Sequence, residues 1–269
     1  MSIISISRGS YSKGKEIAER VAGALGYKCI SREILLEASE QFNIPEIKMA
    51  RAIHDAPSVF DRFTYGKERY VAYARSVLLK YAQQDNIVYH GLGGHFLLDG
   101  IPHVLKVRII ARFDDRVREE MKRENISAEE ARSILKKDDE ERRKWGLYLY
   151  GKDTTEASLY DMVLQIKTIS VEDAADIIQN AVKRPCFQTT PRSQALMDDL
   201  FLAAQVEALL VQRFPSVKAS VKSGVVTVSV QAPLDHDVEI SARIREAAAK
   251  TPGIKDLKII ILPLHTVFR

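Results

Sequence analysis

The chain has 269 residues, 46% of them apolar and 28% charged, with thirteen glycines and nine prolines. That composition supplies one or two sizeable cores and excludes a collagen-like, disordered or disulfide-stapled chain. Forty basic against thirty-six acidic side chains leave a charge of +4, compatible with phosphorylated ligands and too small to point to nucleic acid. Cys29 and Cys186 stand far apart with no closely spaced histidine, so neither a metal knuckle nor a redox pair is predicted; both read as buried thiols in a reducing cytoplasm. No apolar run approaches the length of a membrane span, about 18 residues. The opening MSIISISRGSYSKGK lacks the apolar core and cleavage region of a signal peptide.

Ser2 to Ser7 reads as a strand and Arg8 to Lys13 as a short polar loop. The spacing of Ile17, Ala18, Val21, Ala22 and Leu25 then predicts a helix stopped by Gly26. Tyr27 to Ile30 is a short strand before a helix bearing Ile34, Leu35, Ala38 and Phe42. Residues 46 to 66 are mixed in character and suit a substrate flap, and 67 to 83 form an amphipathic helix. Asn86 to His90 and Val104 to Ala111 read as central strands of a parallel sheet covered by helices. Ser127 with Glu130 forms a capping box for a helix that runs into the charge-dense segment 136–144. Met162 to Ile166 adds a strand, and Ser170 with Asp173 starts a helix through Val182. The alternation predicts an α/β fold with a sheet of about five parallel strands ending near residue 184. Residues 185–195, with two prolines and no periodicity, read as a linker. The remainder, 196–269, follows a different order: helix, strand, turn at Lys222 to Gly224, strand, helix, strand. This small α-β-β-α-β unit has too few clustered polar groups for a second catalytic domain.

Gly9, four residues, Gly14 and Lys15 match the GxxxxGK part of a phosphate-binding loop. They lie between the first strand and first helix, where backbone N–H groups and the helix N-terminus surround anionic oxygens. The hydroxyl that should follow the lysine and reach magnesium is absent, because position 16 is Glu. Lys13 and Lys15 are placed to neutralise phosphate. An ordinary strand-turn-helix with solvated lysines accounts for the same string, and the run 136–144 reads equally as a solvated helix surface.

Ile6, Ser7, Arg8, Ser12, Gly14, Lys15, Glu16, Ile17 and Ala18 resemble the cytidylate kinase-like family of P-loop proteins, whose pattern reads roughly I-S-R, two residues, G-S-G-G-R-E-I-A. The resemblance runs on to about residue 184 and makes Glu16 expected, with Lys15 in place of an arginine. Tyr11 and Lys13 replace glycines. Arg32, in the segment Ser31 to Leu35, is implied as the monophosphate-side arginine, with Ser31 in place of a carboxylate. Gly91, Leu92, Gly93 and Gly94 correspond to a Gly-Arg-Gly-Gly turn that has lost its arginine. Arg116 matches the arginine at the start of the next helix. Asp139 and Arg142 fit the lid's Asp-x-x-Arg, with Trp145, Tyr148, Tyr150 and Gly151 behind it. Tyr160 and Asp161 fit a Tyr-Asp pair, and Lys167 stands where the family has asparagine.

The resemblance implies ATP-dependent phosphoryl transfer to a nucleoside monophosphate, CMP first, with ATP and Mg2+ as donor complex. Arg8, Gly9, Ser12, Lys13, Gly14, Lys15 and Glu16 would form the donor loop, and Arg32, Arg62 and Arg116 would meet the acceptor. Lys15, Arg142 or Arg143, and Asp139 would serve the transfer itself, with only one of the two adjacent arginines facing inward. No dedicated magnesium carboxylate closes the strand that ends at His90; His90 and His95 read as packing or polar support near the cleft. The competing expectations are a nucleotide-binding sensor with little or no turnover, a kinase for another small metabolite, and a protein that keeps only the fold. The tail from about 197 to 264 resembles the BON domain through Val217 to Ser220, Ser223 to Val228, and Pro252, Gly253 and Ile254. That resemblance implies ligand contact or self-association rather than chemistry.

Overall fold

Ile3, Ile4 and Ile6 of strand β1 (Ile3–Arg8) have no exposed surface. A strand apolar on both sides must be covered on both. It pairs with β3 (Ile87–His90) on one side and β4 (Val104–Ala111) on the other, and β2 (Lys28–Ile30) and β5 (Met162–Ile166) complete the sheet. The computed structural model describes residues 1–9, 12–31, 33–43, 66–91, 93–233, 236–249 and 251–263. Its main sheet has the order β2-β3-β1-β4-β5, every pair parallel. This is the α/β architecture expected from the alternation of elements. The expected flap, with Asp61 and Arg62, lies outside the described residues but for Gly66, and so do Tyr11, Arg32 and Leu92.

Helices α1 (Gly14–Leu25) and, near the end of this part of the chain, α7 (Val171–Val182) cover one face. Ile17, Val21 and Ile178 there pack on Ile4, Ile6 and Val107. The opposite face carries α2 (Glu33–Gln41), α3 (Gly66–Ala82) and the short α4 (Gly94–Leu97). Beyond β4, α5 (Phe113–Glu124) and α6 (Ala128–Tyr150) enclose a small core of Val117, Ala131 and Leu135. The capping box of Ser127 and Glu130 starts α6, and Gly151 ends it at φ +65°.

The C-terminal unit runs α8 (Pro191–Leu210), β6 (Lys218–Lys222), β7 (Val225–Gln231), α9 (Asp237–Ala248) and β8 (Asp256–Leu262). Its sheet is ordered β6-β7-β8, with β6 antiparallel and β8 parallel to β7. Helix α8 begins inside the span read as linker. Thr190 accepts from the Ser193 N–H at 3.1 Å, and Pro191 occupies the first helical turn, where its missing N–H costs nothing. A proline read as a breaker is here a helix start. Met197 and Val206 of α8, fully buried, share one continuous core with Tyr70, Val77 and Leu78 of α3 and with Val226 and Val228 of β7.

Cys186 is exposed and Cys29 half-buried, so the expectation of two buried thiols is corrected. Cys186 falls in a 3-10 turn, Pro185–Phe187, that buries none of its residues. Among the described residues, no helix is long and apolar enough to cross a membrane.

Because the core runs unbroken from α3 into α8, the two sheets should unfold together. Fluorescence of Trp145 and far-ultraviolet circular dichroism are expected to give coincident urea transitions. Met197→Ala should lower the unfolding free energy by about 2–5 kcal/mol in the same single transition.

Candidate functional site

At the C-terminal end of β1 the chain turns through Gly9 and Ser12 into α1. The Ser12 hydroxyl, fully buried, donates to the Gly9 carbonyl at 3.0 Å and closes the loop. Gly14 must be glycine, since a Cβ there would lie 2.7 Å from the Cβ of Arg8. Lys13 holds φ +64°, the left-handed conformation that glycine adopts without strain. The N-terminus of α1 follows directly, and the free N–H groups of a helix start are suited to an anion. The Lys15 side chain is two-thirds exposed and lies 3.7 Å from Glu19, and Lys13 lies 3.2 Å from Glu119.

Beside this loop is a cavity of about 530 Å3. Its floor is the ends of the strands: Ser7 and Arg8 of β1, Ser31 after β2, Tyr89 and His90 of β3, and Gly91 just after it. Ile34 and Leu35 of α2 and Val71, Ala74 and Leu78 of α3 form an apolar wall. Helix α6 forms the opposite wall with Asp138, Glu141, Arg142, Trp145 and Tyr150. Three aromatic rings and two guanidinium groups around one space suit a flat ring carrying an anionic group.

Arg142 spans the loop and the cavity. Its Nη1 donates to the Arg8 carbonyl at 2.9 Å, tying α6 to the end of β1. Burial holds its pKa below the usual arginine range, with the Arg8 charge acting the same way and Asp138 and Asp139 opposing. The guanidinium remains charged there. Asp139 turns the other way and accepts both forks of Arg116, each at 2.8 Å. Arg116 is buried, with its guanidinium 3.7 Å from where a Cβ on Gly9 would stand. Arg143 faces away from the cavity, paired with Asp153 at 2.8 Å.

The structure thus gathers Arg8, Gly9, Ser12, Gly14, Arg116, Asp139 and Arg142 around the loop and its neighbouring cavity. It turns Arg143 away, and Glu16 is exposed. Among the described residues, no three His, Cys, Asp or Glu side chains are grouped to hold a metal ion. His90 and Tyr150 are the residues that sequence reasoning undervalued. His90 is 5% exposed and lines the cavity, its Nδ1 without a partner among the described residues. Burial, then the Arg8 charge, pushes its pKa down to about 4. The hydroxyl of Tyr150 is likewise buried and without a partner among the described residues. Only the three-dimensional cavity separates His90 from packing, and only it shows that the Tyr150 ring lines the same space.

The glycines after β3 have a packing cause. A Cβ on Gly94 would meet the Tyr89 ring and the Ser5 hydroxyl at 2.5 Å, and one on Gly93 would lie 2.7 Å from Trp145. Behind them a buried polar cluster secures the segment following α6. The Tyr160 hydroxyl lies 2.9 Å from the Thr154 carbonyl and 3.2 Å from the Ser7 hydroxyl, and Arg108 donates to the same carbonyl at 2.6 Å.

Residues 3–168 match the model of the cytidylate kinase-like family. A cytidylate kinase from Sulfolobus acidocaldarius is 24% identical over 181 residues, 66% of this chain and 93% of that protein. Another from Methanopyrus kandleri is 29% identical over 109 residues, 38% of this chain and 56% of that protein. Among solved structures, an uncharacterized protein from Eubacterium ventriosum superposes with a TM-score of 0.53 at 19% identity, covering 68% of this chain and all of that one; this likeness is one of fold.

Gly93→Ala should cost about 1–3 kcal/mol in chemical unfolding, because φ is +74° and the added methyl meets the Trp145 ring. A pH series tests the histidines. The His90 pKa is depressed to about 4 and that of His95 to about 3, both mainly by burial, from 6.5. On unfolding near pH 5 both rings take up protons, so stability is full above about pH 6.5 and falls as pH drops toward 4. His90→Gln should flatten that slope in urea midpoints measured between pH 7 and pH 5.

Proposed function

The chain belongs to the cytidylate kinase-like family, and on that premise we propose that it transfers the γ-phosphoryl group of ATP to a nucleoside monophosphate, with CMP the first acceptor to test. The observation that carries this reading is Arg142, a half-buried guanidinium anchored to the Arg8 carbonyl between the α1 loop and the cavity. A group transferred from that loop to an acceptor in the cavity passes this cation, where positive charge stabilises the loose transition state most. ATP supplies the phosphoryl group. The N–H groups at the start of α1 and Lys15 hold donor phosphates, while Arg116, fixed by Asp139, supports the loop at Gly9. Arg8 faces the acceptor phosphate from the cavity floor, with Arg32 and Arg62 assigned to it through the family resemblance.

An ionised phosphate acceptor needs no general base. Asp138 and Glu141 line the same cavity on the lid wall beside Arg142. The apolar wall of α2 and α3 and the rings of Tyr89, Trp145 and Tyr150 suit a nucleobase. Magnesium would arrive bound to the nucleotide phosphates and neutralise their charge. The C-terminal unit is read as a BON-like module for ligand contact or self-association, and the protein as a cytoplasmic enzyme.

A second reading, a nucleotide-binding sensor with little turnover, rests on the departures from the family pattern at Tyr11, Lys13, Leu92 and Lys167.

Product separation after incubation with ATP, Mg2+ and CMP, dCMP, UMP, AMP or GMP tests both. CMP-dependent product is expected, lowered about 10²-fold or more in kcat by Lys15→Ala or Arg142→Met. Binding of ATP without product from any nucleotide selects the sensor or a kinase for another small metabolite.

A further inference from the structure

Helix α3 has two neighbours. Val71, Ala74 and Leu78 line the cavity, while Arg75 turns to the C-terminal unit, its Nη1 2.7 Å from Glu207 Oε2 on α8. The two side chains are 23% and 11% exposed, which shelters the pair from solvent screening. The other carboxylate oxygen of Glu207 accepts the Ala219 N–H of β6 at 2.9 Å. A single carboxylate thus joins the cavity wall, α8 and the second sheet. Just past the C-terminal end of α3, Gln194 donates to the Gln83 carbonyl at 3.1 Å, and Gln83 donates to Asp198 at 2.8 Å. Tyr150, on the opposite wall of the cavity, lies within electrostatic reach of both Arg75 and Glu207.

We propose that Glu207 is a positioning residue for the acceptor site, holding α3 through Arg75 so that the C-terminal unit sets the shape of the cavity wall. The inference rests on the reading of this cavity as the acceptor site. Its physical basis is that a wall helix bound on one side only by apolar side chains slides and tilts more readily than one pinned by a directional, charge-assisted bond. Losing either partner leaves the other charge half-buried and unpaired, which favours displacement of α3. The α1 loop makes none of these contacts, so donor binding is left unaffected.

Full-length variants test this. Glu207→Gln keeps an acceptor for the Ala219 N–H and removes the charge facing Arg75; Arg75→Met keeps the aliphatic stem and removes the guanidinium. Each is expected to raise the KM for the acceptor about fivefold with the KM for ATP unchanged. The double variant should be no worse than the more affected single one, as for two residues acting through one bond. Hydrogen exchange should quicken about tenfold in residues 69–82 and stay constant in 14–25. Equal rises in both KM values, additive effects in the double variant, or unchanged exchange over 69–82 would overturn the inference. If the unmodified protein phosphorylates no nucleotide, the functional reading fails by itself. Exchange then still decides the coupling: faster exchange confined to α3 sustains it, and uniform acceleration throughout the chain overturns it.

Discussion

A half-buried guanidinium is unfavourable unless it keeps its charge satisfied, and the arrangement around Arg142 follows from that requirement. The Arg8 carbonyl takes one of its N–H groups, at the point where β1 gives way to the loop. Asp138 and Asp139 add opposing charge from the same helix. Asp139 is in turn held by Arg116, which lies against Gly9. Charge-assisted bonds therefore join the lid helix to the end of the central strand and to Arg116, whose guanidinium lies against the loop at Gly9. A nucleotide that replaced any of these partners would act on all three elements.

Close packing explains why the loop and the turn after β3 are rich in glycine. At Gly14 the neighbour is the Arg8 side chain; at Gly93 it is the Trp145 ring delivered by the lid helix. A glycine-rich turn near a phosphate site invites a reading in terms of ligand contact alone. Here the aromatic residues Tyr89 and Trp145 already occupy the space that a Cβ would need, so sequence and cavity shape are linked through packing. The same rings give the cavity its flat apolar surfaces.

The C-terminal unit changes the meaning of α3. In isolation its spacing describes an amphipathic helix with one apolar face. In the fold it is covered on two sides, by the cavity wall it helps to form and by α8, whose Met197 and Val206 are fully buried against it. Arg75 is the polar residue that this second interface has to accommodate, and Glu207 does so while also bonding β6. The family match ends at residue 168, yet the packing of the cavity wall continues into α8.

Much of the architecture was legible in the sequence because it depends on local periodicity. The isoleucines Ile3, Ile4 and Ile6, the helical spacing from Ile17 to Leu25, and the capping boxes at Ser127 and Ser170 act over a few residues. Val104–Ala111 and Met162–Ile166 form strands with the bounds expected. The loop of Gly9, Gly14 and Lys15 was likewise readable, as was the prospect that only one of Arg142 and Arg143 faces inward. Which one does so was not, because adjacent helical positions differ by rotation alone and the choice is made by the Arg8 carbonyl and Asp153. Pro191 was misread as linker, since the same proline can break a helix or start one, depending on its cap. The sequence by itself determined the order of elements and the GxxxxGK spacing of the loop after β1. Only the tertiary structure decided the cavity, the burial of His90 and Tyr150 and the bond between Arg75 and Glu207, since these join residues far apart in the chain that meet only when the sheets and helices pack.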